Sequence, residues 1–175
     1  MPKINLKSKI REIKDWPIKG VSFKDITPLL QDKDGLRSAI DGLAKPYLKN
    51  KPDIVVGIDA RGFLLSSAVA YKLKRGLAII RKKGKLPYKK VWKKYILEYT
   101  ANILEMHKDA IRPGEKVLVV DDVLATGGTM KATVDLIEKL GGEVVGISFL
   151  IELDFLKGRD KLKNYPIHSL IHYDK

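Results

Sequence analysis

Residues 117–129 read Val-Leu-Val-Val-Asp-Asp-Val-Leu-Ala-Thr-Gly-Gly-Thr, and this stretch decides the fold. Its four leading apolar residues predict a buried strand at 117–120, and the small residues behind them predict a loop that opens a helix at 128–140. A buried strand that runs into a short loop and a helix is typical of a parallel sheet covered on both faces. The segment therefore favours an α/β fold.

The same alternation extends to both sides of this segment. Apolar runs predict further strands at 53–58, 77–80, 144–153 and 167–171, and helical spacing predicts a helix at 62–74. Residues 95–106 are predicted to be an extended arm with its own hairpin. Together these elements predict a single domain over residues 1–175, with a doubly wound, mostly parallel sheet and helices on both faces.

The N-terminal part is predicted to be a small flap. Leu6, Ile10 and Ile13 recur at helical spacing, so we expect a helix over residues 3–14. Residues 20–28 have no regular pattern, and Asp34 is predicted to cap the next helix.

Length and composition exclude several classes of protein. The chain has 175 residues, of which 45% are hydrophobic and 31% charged, so it can bury a core and stay in solution. It contains no cysteine, which excludes disulfide scaffolds, thiolate catalysis and cysteine-based zinc sites. No apolar run approaches the roughly 18 residues that span a bilayer, and no signal peptide is evident, so we expect a cytoplasmic protein.

The net charge of +13 is concentrated in one segment. Eight lysines and arginines, and no acidic residue, lie between Arg81 and Lys94, so the other residues carry only +5. Such an excess indicates a partner with phosphates, either nucleic acid or a phosphorylated small molecule. Taken alone, the basic run is equally consistent with a solvated loop.

The loop at 125–129 has the composition of a phosphate site. Small residues let the backbone approach a ligand closely, and consecutive amides at a helix N-terminus bind anions. The preceding Asp121 and Asp122 can accept hydrogen bonds from a sugar diol. The predicted phosphate ligands are Ala125, Thr126, Gly127, Gly128 and Thr129.

Other interpretations of this segment fit less well. A Walker A loop needs a lysine and a dinucleotide fingerprint needs Gly-x-Gly-x-x-Gly, and the segment has neither. A receiver domain places its paired acids after the first strand, but only 53 residues follow Asp122. A plain strand-turn-helix remains the structural alternative, although two adjacent acids at a buried edge are costly without a ligand.

Residues 117–129 resemble the phosphoribosyl-pyrophosphate (PRPP) motif of type I phosphoribosyltransferases. Further segments resemble the adenine phosphoribosyltransferase family in their order and spacing: 20–28 (GVSFKDITP), 57–63 (GIDARGF), 81–87 (RKKGKLP), 97–99 (LEY), 103–110 and 153–162. The resemblance covers nearly the whole chain. It implies a type I phosphoribosyltransferase fold, with residues 1–33 as a hood over the base site and residues 81–106 as a basic flexible lid.

The family reaction joins adenine to PRPP, releases pyrophosphate and forms AMP in purine salvage. The resemblance implies that Asp121 and Asp122 face the ribose and that the loop at 125–129 holds the 5-phosphate. It also implies a Mg²⁺ cofactor held mainly through PRPP and pyrophosphate, with no protein ligand to the metal. The implied pyrophosphate and nucleotide contacts are Asp59, Ala60, Arg61, Arg81, Lys82, Lys85 and Tyr99.

The resemblance also assigns the base site. Glu98 is implied as a general acid or proton bridge near the base, and Arg61 as its catalytic partner at the pyrophosphate. Phe23 and Leu153 are implied to sandwich the base, and backbone groups of Ser22 and Lys24 to read its edge. The alternatives are an exposed carboxylate at 98 and a core aromatic at 23. We place Lys89, Lys90, Lys93 and Lys94 in the exposed part of the lid.

Some positions depart from the family pattern. Lys24 replaces an arginine, Thr100 a glycine and Asp59 a glutamate, and residues 88–90 lack a common glycine. None of them lies in the PRPP loop. Transfer to another purine (hypoxanthine, guanine or xanthine) therefore stays open, as does a PRPP-sensing regulator that binds nucleic acid. The resemblance further implies a homodimer with the basic loop near the interface, and neither a membrane nor a specific nucleic acid as partner.

Overall fold

The computed structural model describes residues 4–97 and 100–175. Near the N-terminus a short 3₁₀ turn, Leu6–Lys9, precedes an antiparallel hairpin of β1 (Arg11–Lys14) and β2 (Ser22–Asp25). The helices that follow along the chain are α1 (Thr27–Gln31), α2 (Lys33–Ala44), α3 (Arg61–Leu73) and α4 (Gly128–Lys139). None of the helices in these described ranges is long and apolar enough to cross a membrane.

Within the described residues, seven strands form the main sheet. In spatial order they are β5 (Lys90–Leu97), β6 (Thr100–His107), β4 (Gly76–Lys82), β3 (Ile54–Ile58), β7 (Lys116–Leu124), β8 (Glu143–Leu153) and β9 (Ile167–Tyr173). The strands from β4 to β9 in this order are parallel, whereas β6 is antiparallel to both β4 and β5. This confirms the predicted mostly parallel α/β sheet.

The sheet separates two hydrophobic layers. Successive residues of a strand face opposite sides, so Leu118 packs with α2 and α3 whereas Val119 packs with α4. Both residues are fully buried, as the continuous apolar run predicted. Packing in these two layers holds the strands in place. The loops that carry the polar residues begin at the ends of these strands.

The N-terminal prediction is wrong in its secondary structure. In the described part of the helix predicted for residues 3–14, a 3₁₀ turn is followed by strand β1, in which Ile13 pairs with Phe23 across the hairpin. The segment 20–28, predicted to be irregular, contains β2 and the start of α1. The helix cap is Asp32, whose Oδ1 accepts a 2.6 Å hydrogen bond from the Gly35 amide, and not Asp34, which lies in the first turn.

Two further boundaries differ from the prediction. Strand β7 continues to Leu124, so both acids lie inside the strand and not in the loop after it. The predicted arm is an antiparallel pair, β5 and β6, that starts earlier than expected and adds to the sheet beside β4. Glu98 and Tyr99 lie outside the described residues, and their assigned roles stay predictions.

Candidate active site

The polar residues singled out in the sequence gather at the carboxyl ends of the parallel strands. The loops after β3, β4 and β7 and the end of β8 lie on the same edge of the sheet. Open α/β sheets bind ligands in this position. The N-terminal hairpin reaches the same edge, because the Arg61 Nη1 atom donates a 3.4 Å hydrogen bond to the carbonyl of Lys24 in β2.

The loop between β7 and α4 forms a small pocket of about 140 Å³. Gly127 precedes α4 with φ +77°, and a Cβ there would collide with the Gly158 carbonyl oxygen. No side chain caps α4, so the amides of its first turn stay available to an anion. The pocket contains every predicted phosphate ligand, being lined by Asp121, Val123, Leu124, Ala125, Thr126, Gly127, Gly128, Thr129, Met130 and Phe149.

Asp122 carries a buried oxygen that points into the site. Its Oδ2 lies 2.7 Å from Arg61 Nη2, but the two groups are not aligned for a hydrogen bond. Among the described residues this oxygen has no hydrogen-bond partner, although Asp122 is only 7% exposed. Buried polar atoms are rarely left without a hydrogen bond, so this oxygen is a candidate acceptor for a ligand donor.

Asp121 is buried next to a second carboxylate. Burial, together with the negative charge of Asp122, raises the pKa of the Asp121 carboxyl well above its usual range. Its Oδ1 accepts a 2.9 Å hydrogen bond from the Asp122 amide. A Cβ at Gly62 would lie 2.5 Å from this oxygen, so the start of α3 approaches the carboxyl closely.

The turn after β3 carries a cluster of charges and a cis peptide bond between Asp59 and Ala60. Asp59 Oδ2 lies 3.2 Å from Arg81 Nε and 3.5 Å from Lys85 Nζ. Burial acts to raise the pKa of Asp59, but the hydrogen bond from Arg81 and the charge of Lys85 outweigh it and lower the pKa. The structure therefore brings Asp59, Arg81 and Lys85 together beside Ala60 and Arg61.

The other lysines of the basic segment differ in their surroundings. Lys82 follows Arg81 in β4, so its side chain points to the opposite face of the sheet. Lys90 lies 2.9 Å from the buried Glu105, and Lys93 lies 2.8 Å from Asp135. The placement of Lys90 in an exposed lid is therefore wrong, since it is held in an ion pair within the hairpin, whereas the side chains of Lys89 and Lys94 are exposed.

Phe23 is half-buried and faces the site. Its ring centroid lies 4.8 Å from the Arg61 Cζ atom and 4.4 Å from the centroid of the Trp16 ring. The neighbouring Ser22 and Lys24 side chains turn away to Glu12, at 3.2 Å and 2.7 Å, so only their backbone groups remain for a ligand. Leu153 is partly buried at the end of β8, one residue beyond Glu152.

Sequence reasoning missed the contacts that hold this edge together. Two guanidinium nitrogens of Arg159 donate hydrogen bonds of 2.5 Å and 2.7 Å to the buried Glu152 carboxylate, and Ser169 donates to the same carboxylate at 2.6 Å. The adjacent Gly158 packs against the loop at 125–129. Glu152 and Arg159 are seven residues apart, and their ion pair joins a strand to a turn. No local sequence pattern predicts such a contact.

One group of side chains has metal-binding geometry. The ligand atoms of Glu152, Asp154 and His172 lie within 4.8 Å of one another. The Glu152 carboxylate is already neutralised by Arg159 and bonded to Ser169, and His172 Nδ1 lies 3.0 Å from Asp154 Oδ1. These contacts make the group an ion-pair network with its carboxylates engaged.

The two larger cavities of this molecule do not coincide with the polar residues described above. An open groove of about 800 Å³ lies between α2 and α3 and includes Leu36, Ala68 and Tyr71 in its walls. Another, of about 760 Å³, lies between the N-terminal turn and β9. Neither contains the acids and arginines described above, which surround the much smaller pocket at α4.

Comparisons with known proteins agree with this geometry. Residues 27–170 match the family described as the phosphoribosyl transferase domain. The chain is 52% identical over 171 residues to an adenine phosphoribosyltransferase of Clostridium novyi, which covers 98% of this chain and 99% of that protein.

The chain belongs to the adenine phosphoribosyltransferase family.

Solved structures of the family superpose closely on the fold. The adenine phosphoribosyltransferase of Thermoanaerobacter pseudethanolicus has a TM-score of 0.93 at 49% identity and covers 96% of this chain and 98% of its own. The enzyme of Giardia lamblia, complexed with 9-deazaadenine, also has a TM-score of 0.93, at 33% identity, with coverage of 100% and 99%. The family and the type I phosphoribosyltransferase fold inferred from the motifs are thereby confirmed.

Proposed function

We propose that this chain transfers the 5-phosphoribosyl group of PRPP to adenine, giving AMP and pyrophosphate in purine salvage. In this reaction the bond from C1′ to the pyrophosphate oxygen breaks, and its electron pair leaves with the pyrophosphate. The bond from C1′ to adenine N9 forms, and N9 loses its proton. The observation that carries the proposal is the position of Arg61, which touches Phe23 of the hood and Asp122 beside the pocket at 125–129.

The PRPP side of the site follows from the pocket. The amides and hydroxyls of Ala125, Thr126, Gly127, Gly128 and Thr129 would hold the 5-phosphate, because the helix N-terminus favours negative charge. Asp122 Oδ2, which is ion-paired with Arg61 but has no hydrogen-bond partner among the described residues, would accept a hydrogen bond from a ribose hydroxyl. Asp121, whose raised pKa favours the protonated form, would donate to the same diol.

The cations of the site would stabilise the leaving group. Negative charge develops on the pyrophosphate as the bond to C1′ breaks, and preorganised cations are most effective where charge develops. Arg61, Arg81 and Lys85 converge on the turn at Asp59 and Ala60. We assign them to the pyrophosphate together with the turn amides, and we place Lys82 there only as an outer contact.

The base would lie between the hood and the end of β8. Phe23 would offer a flat apolar face and Leu153 the opposite wall, and backbone groups of Ser22 and Lys24 would contact the edge of the base. Glu98 and Tyr99 lie outside the described residues; we propose that Glu98 takes up or relays the base proton and that Tyr99 contacts the nucleotide.

Mg²⁺ fits this site as an ion carried by the substrate. Among the described carboxylates at this edge, Asp59 is ion-paired with Arg81 and Lys85, and Asp122 lies in an ion pair with Arg61. Mg²⁺ dehydrates reluctantly and is commonly held by substrate phosphates and water. When bound, it supplies positive charge to the pyrophosphate oxygens. The proposed metal ligands are therefore PRPP oxygens, with no ligand from the protein.

We further propose a cytoplasmic homodimer in which residues 1–175 act as one domain. Residues 1–33 would be the hood and residues 81–106 the lid. The exposed apolar side chains of α3 support the dimer, since Tyr71 is 87% and Leu64 is 53% exposed on the same helix face.

The first experiment is an end-point assay with Mg²⁺, PRPP and each of adenine, hypoxanthine, guanine and xanthine. We expect AMP from adenine alone. Asp122→Asn should lose product because the ribose contact is weakened, whereas the matched control Asp160→Asn alters an exposed carboxylate and should keep it. Product from another base would overturn the assignment to adenine. PRPP binding without product from any base would instead favour a PRPP-sensing regulator.

A further inference from the structure

Tyr173 is the last residue of β9, and two lysine ammonium groups lie close to its aromatic ring. Lys24 Nζ lies 4.2 Å and Lys7 Nζ 4.3 Å from the centroid of the ring. Both Tyr173 and Lys24 are only 5% exposed. An ammonium group over an aromatic face is attracted by the negative ring face, and the attraction grows when water is excluded.

Lys24 is also fixed from its other side. Its Nζ donates to Glu12 Oε2 at 2.7 Å and to Ser22 Oγ at 3.0 Å. Glu12 lies directly opposite Lys24 in the register of β1 and β2. A buried ammonium group needs such partners, so its position over Tyr173 is determined by contacts on both sides. The hairpin is thereby tied to the last strand of the sheet.

These contacts connect the two walls of the proposed base site. Lys24 is the neighbour of Phe23 in β2, and Tyr173 pairs with Leu153 across β8 and β9. We propose that Lys24 and Tyr173 are positioning residues that set the spacing between Phe23 and Leu153, and hence the fit of a planar base between them. This inference rests on the proposed function, because it concerns the base site of that reaction.

The test compares steady-state constants and direct binding for variants of Tyr173. Tyr173→Leu removes the ring, and we expect the KM for adenine to rise about tenfold while kcat stays within about threefold, as for a lost cation–π contact. The affinity for PRPP, measured by calorimetry, should not change. Tyr173→Phe keeps the ring face and should retain the wild-type KM for adenine.

A second pair of variants tests the same contact from the hood. Lys24→Met removes the cation and leaves Glu12, whose side chain is 50% exposed, accessible to water. Lys24→Arg keeps a cation that can stack on the ring. We expect the first to raise the KM for adenine and the second to preserve it. Lys9→Met is the matched control, because it breaks a partly buried ion pair with Asp32 in the same N-terminal region and removes no contact with Tyr173.

The outcomes separate this inference from the proposed function. An unchanged KM for adenine in folded Tyr173→Leu and Lys24→Met would overturn the positioning role, as would an equal loss of PRPP affinity, which would indicate general loosening of the fold. If Tyr173→Leu does not fold, the Lys24 pair decides. A wild-type protein that uses no base would reject the proposed function, and the positioning role with it, before any variant is made.

Discussion

At the scale of single residues, Arg61 joins the two halves of the site. Its guanidinium contacts the ring of Phe23, the carbonyl of Lys24 and the carboxylate of Asp122. A planar group with five donors can make several such contacts at once. The side chain therefore links the N-terminal hairpin to the carboxylate of Asp122 in β7.

This arrangement predicts the effect of Arg61→Lys. A lysine is a point charge that cannot keep the stacking contact and both polar contacts, so kcat/KM for PRPP should fall roughly 10- to 100-fold, as for one or two lost charged hydrogen bonds. Steady-state assays at saturating adenine measure the change. Arg75→Lys, at an exposed arginine just beyond α3, should stay at the wild-type value. A value for Arg61→Lys within threefold of wild type would contradict the linking role.

We predict that Asp121 lowers the stability of the folded protein but contributes to PRPP binding. Because its pKa is raised in the folded state, folding favours the protonated form, and stability is lost as the pH rises above the usual carboxyl value of 3.8 towards the raised one. Asp121→Asn removes this titration, so its Tm should exceed the wild-type Tm at pH 8 and the difference should shrink towards pH 4. PRPP affinity should fall in the same variant. Thermal scans that show no pH dependence of the Tm difference would contradict the assignment.

At the scale of elements, the sequence predicted the strands and helices of the central sheet but not the N-terminal hairpin. Buried parallel strands are continuous apolar runs, so 117–120 and 144–153 could be located directly. Leu6, Ile10 and Ile13 also fit helical spacing, but three residues do not distinguish a helix from a turn followed by a strand. The pairing of Ile13 with Phe23 shows that this segment is a strand. The spacing of apolar residues along the chain does not reveal such a pairing.

The proposed phosphate ligands at 125–129, which line one pocket, could be singled out because they lie next to one another in the chain. The supports around them could not, because Arg159, Gly158 and Tyr173 reach the site from distant segments. Charge and glycine spacing do not reveal which of many lysines and glycines will meet. The candidate ligands were thus accessible to sequence reasoning, whereas the groups that position them required the folded chain.

The loop at 125–129 predicts the effect of Gly127→Ala. Alanine at φ +77° is strained, and its Cβ would also collide with the Gly158 carbonyl oxygen. Gly114→Ala is the matched control, since Gly114 has φ +83° but open space around a Cβ. The control should lose about 1–2 kcal/mol of unfolding free energy, and Gly127→Ala should lose more and bind PRPP less tightly. Denaturant titration and calorimetry measure both; equal losses in the two variants would contradict the close approach of Gly158.

At the scale of the whole molecule, α3 carries two exposed apolar side chains on one face. Leu64 and Tyr71 lie seven residues apart on α3, which places them on one helix face, and Tyr71 also lines the groove against α2. Lysines and arginines rim this groove, among them Lys33, Arg37, Lys72 and Lys74. An apolar strip with a charged rim is typical of a protein interface.

This surface predicts the assembly of the protein. The wild type should sediment at about twice the chain mass of 19.7 kDa, and Tyr71→Glu should shift it to the monomer because a charge at the centre of an apolar interface loses its hydration. Leu48→Glu, at an exposed leucine before β3, is the matched control and should stay dimeric. If the basic loop reaches the partner's pyrophosphate site, the Tyr71→Glu monomer should also lose turnover. A wild type that sediments at 19.7 kDa and remains active would contradict the homodimer.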